Sequence, residues 1–452
     1  MKHANWQLPE LTALIAPSRI VRIPPADDVP LSPRVARLLD TPELQRLAQV
    51  SQLGLVRLVY PGASHSRLEH SLGVYRHALL VLVRLAQDPV VLELIDPGKA
   101  SSLVLAALLH DVGHWPFCHP IEDLELPGVP AHEQRAHDLI TSGNLAKHIA
   151  GDWPCSGQDV WRLLAEETTD PAEQLLQSII SGPIDIDKLD YLQRDSLHAG
   201  VPYGRNFDAA RLLANLTVSG SPPRLAVGEK ARTAAEMLVF SRYVMFSEVY
   251  WHHAVRSATA MLQRVVFELH ERLDWNRMWN MSDAAWIGAL QAAASGSAVC
   301  QLIDGLFGPT RQLYKRLAQF TPASDTAIHA QLARQPYAVL YRVSQCLAER
   351  IGRAVGRAVG SEEILIDAPP PKREVEVDID LVSANGRATP LTQASPVVEA
   401  LARRQFDDVV KRVRVFGSPT VRRDLGGELP IDWLWQAISD AGLGTSQCEV
   451  LE

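Results

Sequence analysis

Three histidines and an aspartate crowd the stretch Leu108–His119: His110, Asp111, His114 and His119. An imidazole nitrogen beside a carboxylate oxygen, as in His110-Asp111, can bind one divalent ion jointly. Two other stretches carry the same ligand types. Pro61–Gly73 holds His70 three residues after Arg67, and Asp185–Asp195 holds Asp187, Lys188, Tyr191 and Asp195. Brought together, His70, His110, Asp111 and Asp187 give two imidazoles and two carboxylates. That set suits a divalent ion of the Mn, Mg, Fe, Ni or Zn kind and leaves positions for water and a phosphate oxygen. Water on such an ion loses a proton near neutral pH and becomes a nucleophile.

Further groups could complete a phosphoester chemistry. His114, His119 and His132 are candidates to protonate a leaving group or hold phosphate oxygens. Arg67, Lys188 and Arg242 could counter phosphate charge. Tyr191 and Tyr250 could stack on, or bond to, a sugar or base. Blander roles compete with these. Arg67 could pair with Glu69, Tyr250 could be a core residue, and Asp185, Asp190 and Asp195 rival Asp187. Only 15 of 452 residues are histidine, yet three fall within ten positions beside an apolar helix. That density favours one shared polar centre over isolated helix-end hydrogen bonds.

Helices must position these groups. An apolar helix is expected from about Ser102 to Leu109, with His110 and His114 sharing a face if it persists. Gly113 and Pro116 loosen and end it. Thr41-Pro42 reads as an N-cap and first turn. A helix beginning near Arg67 puts Arg67 and His70 on one face. On the next polar helix Asp187, Tyr191 and Arg194 share a face. Thr233 to about Leu273 reads as one long helical pattern. Asp283 to Val359 reads as helical, with breaks near 305–309 and 321–324. After Gly360 the pattern changes. Ile364–Asp367 is β-like, Glu374–Leu381 alternates as a half-buried strand does, 396–410 is helical, and Arg412–Phe416 alternates again. The expected architecture is mostly α-helical with a small C-terminal α+β appendage. Its parts are an irregular N-terminal segment at 1–35, a helical body at 36–360 and an α+β region at 361–452.

The bulk properties narrow the partners. A net charge of -8 and a pI near 6.0 give no global attraction to nucleic acid, so an anionic substrate needs a local basic pocket. Five scattered cysteines without a CxxC pair argue against a disulfide framework. The start lacks the apolar core of a signal peptide. No apolar run nears the roughly 20 residues of a membrane span. A cytoplasmic protein that does not engage a membrane is expected.

The motifs Tyr60–Gly73, His110-Asp111-Val112-Gly113-His114 with His119, His132-Glu133 and Asp185–Tyr191 with Asp195 resemble the HD-domain phosphohydrolases. Within that superfamily they look most like the SAM-and-HD-type deoxynucleoside triphosphate (dNTP) triphosphohydrolases. The resemblance runs from about Asp40 to His253, and no SAM domain fits the short N-terminal segment. It implies an HD-domain fold in which His70, His110, Asp111 and Asp187 ligate the metal. His114, His119 and His132 would line the phosphates, with His119 the leading proton donor. Arg67, Lys188 and Arg242 would bind phosphates, and Tyr191 and Asp195 would hold the sugar 3′-hydroxyl. Gln52 and Leu53 would touch sugar or base, and Tyr250 would pack under the sugar. The implied reaction is attack at the α-phosphorus, releasing deoxynucleoside and triphosphate, in a homo-oligomer. The alternative is an HD phosphodiesterase acting on cyclic or oligomeric nucleotides. Two positions depart from the family pattern. Glu122 replaces an aspartate three residues after His119, and Ala48 stands where the regulatory nucleotide site has an arginine three residues after Gln45.

Overall fold

A computed structural model describes residues 6–25, 27–369, 378–402 and 410–443. The chain is mostly α-helical, with small sheets set against the helices. Three helices carry the centre: Arg67–Leu85, Pro97–Leu109 and Ile186–Ala199, the first packing against both others. Each starts at a side-chain cap. Ser66 Oγ accepts the Glu69 N–H at 3.2 Å, Asp96 Oδ1 that of Lys99 at 2.9 Å, and Asp185 Oδ1 that of Lys188 at 2.7 Å. These bonds satisfy amide donors that the first turn leaves open.

Burial dominates the middle helix. Every residue from Ala100 to Leu109 is buried. Each fully buried leucine contributes about 1.5–3 kcal/mol, against about 1 kcal/mol for a cap. The core therefore holds this helix and Asp96 fixes only where it starts. The helix ends at Leu109 with His110 as its cap. The chain then turns, with Val112 N–H bonding Leu109 O and His114 N–H bonding Asp111 O, both at 3.0 Å. The expected sharing of a helix face by His110 and His114 does not occur. Close packing at Gly113 explains the turn. A Cβ there would lie 2.1 Å from His132 O and 2.7 Å from Ala136 N, so the His132–Thr141 helix presses directly on the turn.

Other expectations are also corrected. The proline-rich start is not irregular. It holds a helix, Pro9–Ile15, and a hairpin pairing Ile20–Ile23 with Asp27–Pro30. Pro9 sits in the first helical turn, where its missing N–H costs nothing. The long helix over 233–273 is broken. Arg232–Met245 runs into a π-turn at Phe246–Tyr250, and a new helix begins at His253. Within the stretch read as helical, Lys315–Phe320 is a strand. It pairs with Val413–Gly417, which also pairs antiparallel with Ile364–Asp367. Thr41 precedes the Pro42–Leu47 helix, but its hydroxyl bonds Leu38 O instead of capping. Of the expected strand over Glu374–Leu381, residues 374–377 lie outside the described residues, and Asp380–Val382 is a strand. Pro396–Ala400 is helical, and 403–409 also lie outside them.

The C-terminal sheet is tied to the centre. Asp367 accepts from Arg256 Nη2 at 2.5 Å and Nε at 3.1 Å, and the Arg256 guanidinium lies 4.3 Å from the Trp251 ring centroid. Arg414 donates to Trp251 O at 3.0 Å. Among the described residues no helix is long and apolar enough to cross a membrane.

Candidate active site

His70 lies on the buried face of the Arg67–Leu85 helix. Its Nε2 is 2.9 Å from Asp187 Oδ1 and 3.2 Å from His110 Nε2. Its Nδ1 is 2.8 Å from Asp190 Oδ2, and His110 Nδ1 is 3.0 Å from Ala107 O. Each ring thus has an acceptor for an Nδ1 proton, which leaves the Nε2 lone pairs converging near Asp187. The donor atoms of His70, His110 and Asp187 lie within 4.8 Å of one another. Burial would lower the His70 pKa. Asp187 and Asp190 outweigh it and hold that pKa well above the ordinary histidine value. The pocket therefore favours positive charge, and its donors fit a divalent ion.

Asp111, the fourth expected ligand, stands just outside this triad. Its Oδ1 is 3.5 Å from His110 Nε2 and 3.2 Å from His114 Nδ1, and its Oδ2 accepts from Arg67 Nη1 at 2.8 Å. Burial would raise its pKa, but His114 and Arg67 outweigh that and keep the carboxyl well below its usual range. Arg67 pairs with Asp111 and not with Glu69.

A second cluster sits beside the first. His114 and His132 have ring centroids 3.9 Å apart, an approach that the absent Cβ of Gly113 permits. His132 Nδ1 lies 2.9 and 3.0 Å from the two Glu122 oxygens, and Glu122 Oε1 also accepts the His132 backbone N–H at 2.6 Å. His119 Nδ1 is 3.6 Å from Glu122 Oε2, and its Nε2 is 3.3 Å from His114 Nε2. Burial would raise the Glu122 pKa. His119 and His132 reverse that and hold the carboxyl far below its ordinary value. Phe117, at φ +58°, turns the chain into the Cys118–Glu122 helix. Its ring packs on Trp286 and Phe307, with centroids at 5.3 and 5.7 Å, which keeps a left-handed residue in place.

His119, Glu122 and His132 of the second cluster, with Arg67, the partner of Asp111, line a cavity of about 950 Å³ together with Gln52, Leu53 and Tyr250 among others. The π-turn directs Tyr250 Oη to Asp195 Oδ2 at 2.6 Å. Asp195 Oδ1 is 2.9 Å from His65 Nε2, and the His65 ring stacks on His198 at 4.3 Å. Tyr191 meets Tyr250 edge-on at 6.4 Å. Lys188 and Arg242 lie outside that lining, as do His70, His110, Asp187 and Asp195. Lys188 Nζ bonds Asp185 Oδ2 at 2.5 Å and Gly182 O at 3.0 Å. The Arg242 guanidinium lies 5.7 Å from the Phe246 ring centroid.

Several supporting residues escaped the sequence reading. Asp190 backs His70 and is held by Arg194 through bonds of 2.7 and 2.8 Å. Gly73 makes room for that pair, since a Cβ there would lie 1.8 Å from Asp190 Oδ1. The i, i+4 spacing of Asp190 and Arg194 was the available signal. Arg46 donates to His114 O at 2.6 Å and Val112 O at 2.7 Å, clamping the turn after His110. Burial, with Arg135 and Arg67 nearby, lowers its pKa to about 9. Nothing local in the sequence marks that long-range contact.

Residues 67–195 match the HD domain, and residues 207–428 match the HD-associated region. The chain belongs to the HD-domain phosphohydrolase superfamily. Among relatives of this HD protein is an uncharacterised protein of Methanocaldococcus jannaschii. It is 33% identical over 307 residues, covering 67% of this chain and 60% of that one. YwfO of Bacillus subtilis is 35% identical over 243 residues, covering 52% of each. The human deoxynucleoside triphosphate triphosphohydrolase SAMHD1 is 30% identical over 223 residues, covering 43% of this chain and 35% of that one. The chain thus spans about half the length of the curated relatives it matches. A solved structure of a hypothetical protein from Aquifex aeolicus superposes with a TM-score of 0.68 at 26% identity, covering 90% of this chain and 99% of that one. A phosphohydrolase structure from Bacteroides thetaiotaomicron, at 22% identity and the same TM-score over 88% of this chain and 99% of that one, shows the shared fold.

Proposed function

We propose that this HD phosphohydrolase cleaves a nucleotide at its α-phosphorus, with a dNTP as substrate and deoxynucleoside and triphosphate as products. The observation that carries this reading is the junction of two clusters at Asp111, which touches His114 and pairs with Arg67 at the cavity lining. The donors of His70, His110 and Asp187 adjoin three histidines and Arg67, and the hydrogen-bonded Tyr250–Asp195 pair stands at the wall. The similarity to named dNTP triphosphohydrolases supports the choice of substrate.

His70, His110, Asp111 and Asp187 would hold the divalent ion, which supplies an acidified water at neutral pH. Arg67 and His132 bind phosphate oxygens. As the P–O5′ bond breaks, His119 protonates the departing O5′, with Glu122 orienting its ring. Gln52 and Leu53 contact sugar or base. Asp195, oriented by His65 and Tyr250, accepts the sugar 3′-hydroxyl beside Tyr191. Lys188, whose charge acts on Asp187, and Arg242, whose charge acts on Tyr191, would counter phosphate charge.

A panel of dNTPs, NTPs and cyclic nucleotides, assayed with Mn and with Mg, tests the reading. Phosphorus NMR of a dNTP reaction is expected to show inorganic triphosphate. Pyrophosphate or monophosphate alone would refute cleavage of the P–O5′ bond with release of triphosphate, and turnover of cyclic nucleotides alone would favour a phosphodiesterase.

A further inference from the structure

His114, His119 and His132 share one arrangement. Each has Nδ1 against a carboxylate: Asp111 Oδ1 at 3.2 Å for His114, and Glu122 at 3.6 and 2.9 Å for His119 and His132. His132 Nδ1 donates to Glu122, His114 Nδ1 to Asp111 O at 3.3 Å, and the His119 ring turns its Nδ1 toward Glu122, which leaves each Nε2 with its lone pair, as in metal-ligating histidines held from behind by acceptors. His114 Nε2 and His119 Nε2 then face each other at 3.3 Å. Two lone pairs at that distance repel unless a cation lies between them. A tetrahedral ion about 2.0–2.1 Å from each nitrogen requires an N···N edge of about 3.3–3.4 Å. One donor atom from each of the three rings lies within 4.8 Å of the other two.

We propose that His114, His119 and His132 form a second metal site. It is a three-imidazole site for Zn or Co, with a fourth position open to water or a phosphate oxygen. It shares no ligand with the His70–His110–Asp187 set and does not depend on which phosphoester is cleaved. With an ion bound, His119 Nε2 is occupied and cannot protonate a leaving group. Zinc in excess of one equivalent therefore inhibits the hydrolysis proposed above. The rival occupant is a proton, carried on His119 Nε2 and donated to His114. A rival ligand set, Cys118–Glu122–His132, overlaps at His132 alone.

The test uses the full chain, stripped with a chelator and titrated with Co(II), read by visible absorption and elemental analysis. Wild type is expected to bind two equivalents, one giving the intense band of tetrahedral cobalt. His119→Gln, at a side chain 61% exposed, should lose that band and keep one equivalent. Asp187→Ala should lose the other equivalent and keep the band, which separates this site from the metal centre assigned above. Cys118→Ser should keep both, and Glu122→Gln should weaken the tetrahedral site about 10–100-fold. A single equivalent in wild type, or a band that survives His119→Gln, overturns the proposal. So does a band lost in Cys118→Ser.

Discussion

His70 is held between two aspartates, with Nε2 2.9 Å from Asp187 Oδ1 and Nδ1 2.8 Å from Asp190 Oδ2. Asp187 is partly exposed, whereas Asp190 is buried behind the ring. A carboxylate in that rear position fixes the tautomer and makes the imidazole a better ligand. Asp190→Asn is expected to weaken binding at the Asp187 site about 10–100-fold. Titration calorimetry with Mn(II) on stripped protein measures it. Arg194 loses its bidentate partner in this variant, and breaking a buried pair costs about 3–5 kcal/mol. Circular dichroism must therefore show a folded sample at the titration temperature. A folded variant with unchanged affinity would refute the role of Asp190.

The polar helix shows what spacing could and could not reveal. Its aspartates are alike in the sequence, and the structure sorts them by direction. Asp185 caps the helix and binds Lys188, Asp187 faces His70, Asp190 backs His70, and Asp195 meets Tyr250 and His65. Periodicity groups residues by helix face, but cannot tell which neighbour each face will meet. The same limit hid the Lys315–Phe320 strand, whose partner Val413–Gly417 lies nearly a hundred residues away. His70, His110 and Asp187 were legible because ligand types recur on separate helices. The shared face expected of His110 and His114 failed because packing at Gly113 ends the helical path.

His77 gives a pH dependence away from the metal ligands. It is buried on the Arg67–Leu85 helix, and burial lowers its pKa below the ordinary histidine value. The unfolded chain takes up this proton near pH 6.5, before the folded chain does. The unfolded state therefore binds more protons just below that pH, and stability falls as the solution is acidified through this window. Urea unfolding between pH 7.5 and about 5 should show a shallower loss in His77→Gln than in wild type. Identical slopes would mean that the buried imidazole is not the group responsible.

Tyr250 and Asp195 test the sugar. Removing the Tyr250 hydroxyl deprives Asp195 of a 2.6 Å bond, and bonds to charged groups are worth about 1.5–3 kcal/mol. Tyr250→Phe should lower kcat/KM for a dNTP by about 10–100-fold. The loss should shrink for a 2′,3′-dideoxynucleotide, which offers no hydroxyl to Asp195. Equal losses on both substrates would remove Asp195 from 3′-hydroxyl recognition.

His119 is the histidine whose proposed role a leaving group can interrogate. Its side chain reaches the cavity, and its Nδ1 faces Glu122. A proton donor matters in proportion to the basicity of the oxygen it protonates. A deoxynucleoside O5′ leaves as a strongly basic alkoxide unless protonated, so His119→Gln should lower kcat about 10²–10⁴-fold on a dNTP. On a 4-nitrophenyl nucleotide ester the nitrophenolate departs without a proton, and most of that loss should vanish. Glu122→Gln acts only through ring orientation and should cost less than His119→Gln on the dNTP while following the same trend. If His119→Gln slows both substrates equally, the residue binds phosphate without transferring a proton. Another group, with His132 the nearest candidate, would then have to protonate the leaving oxygen.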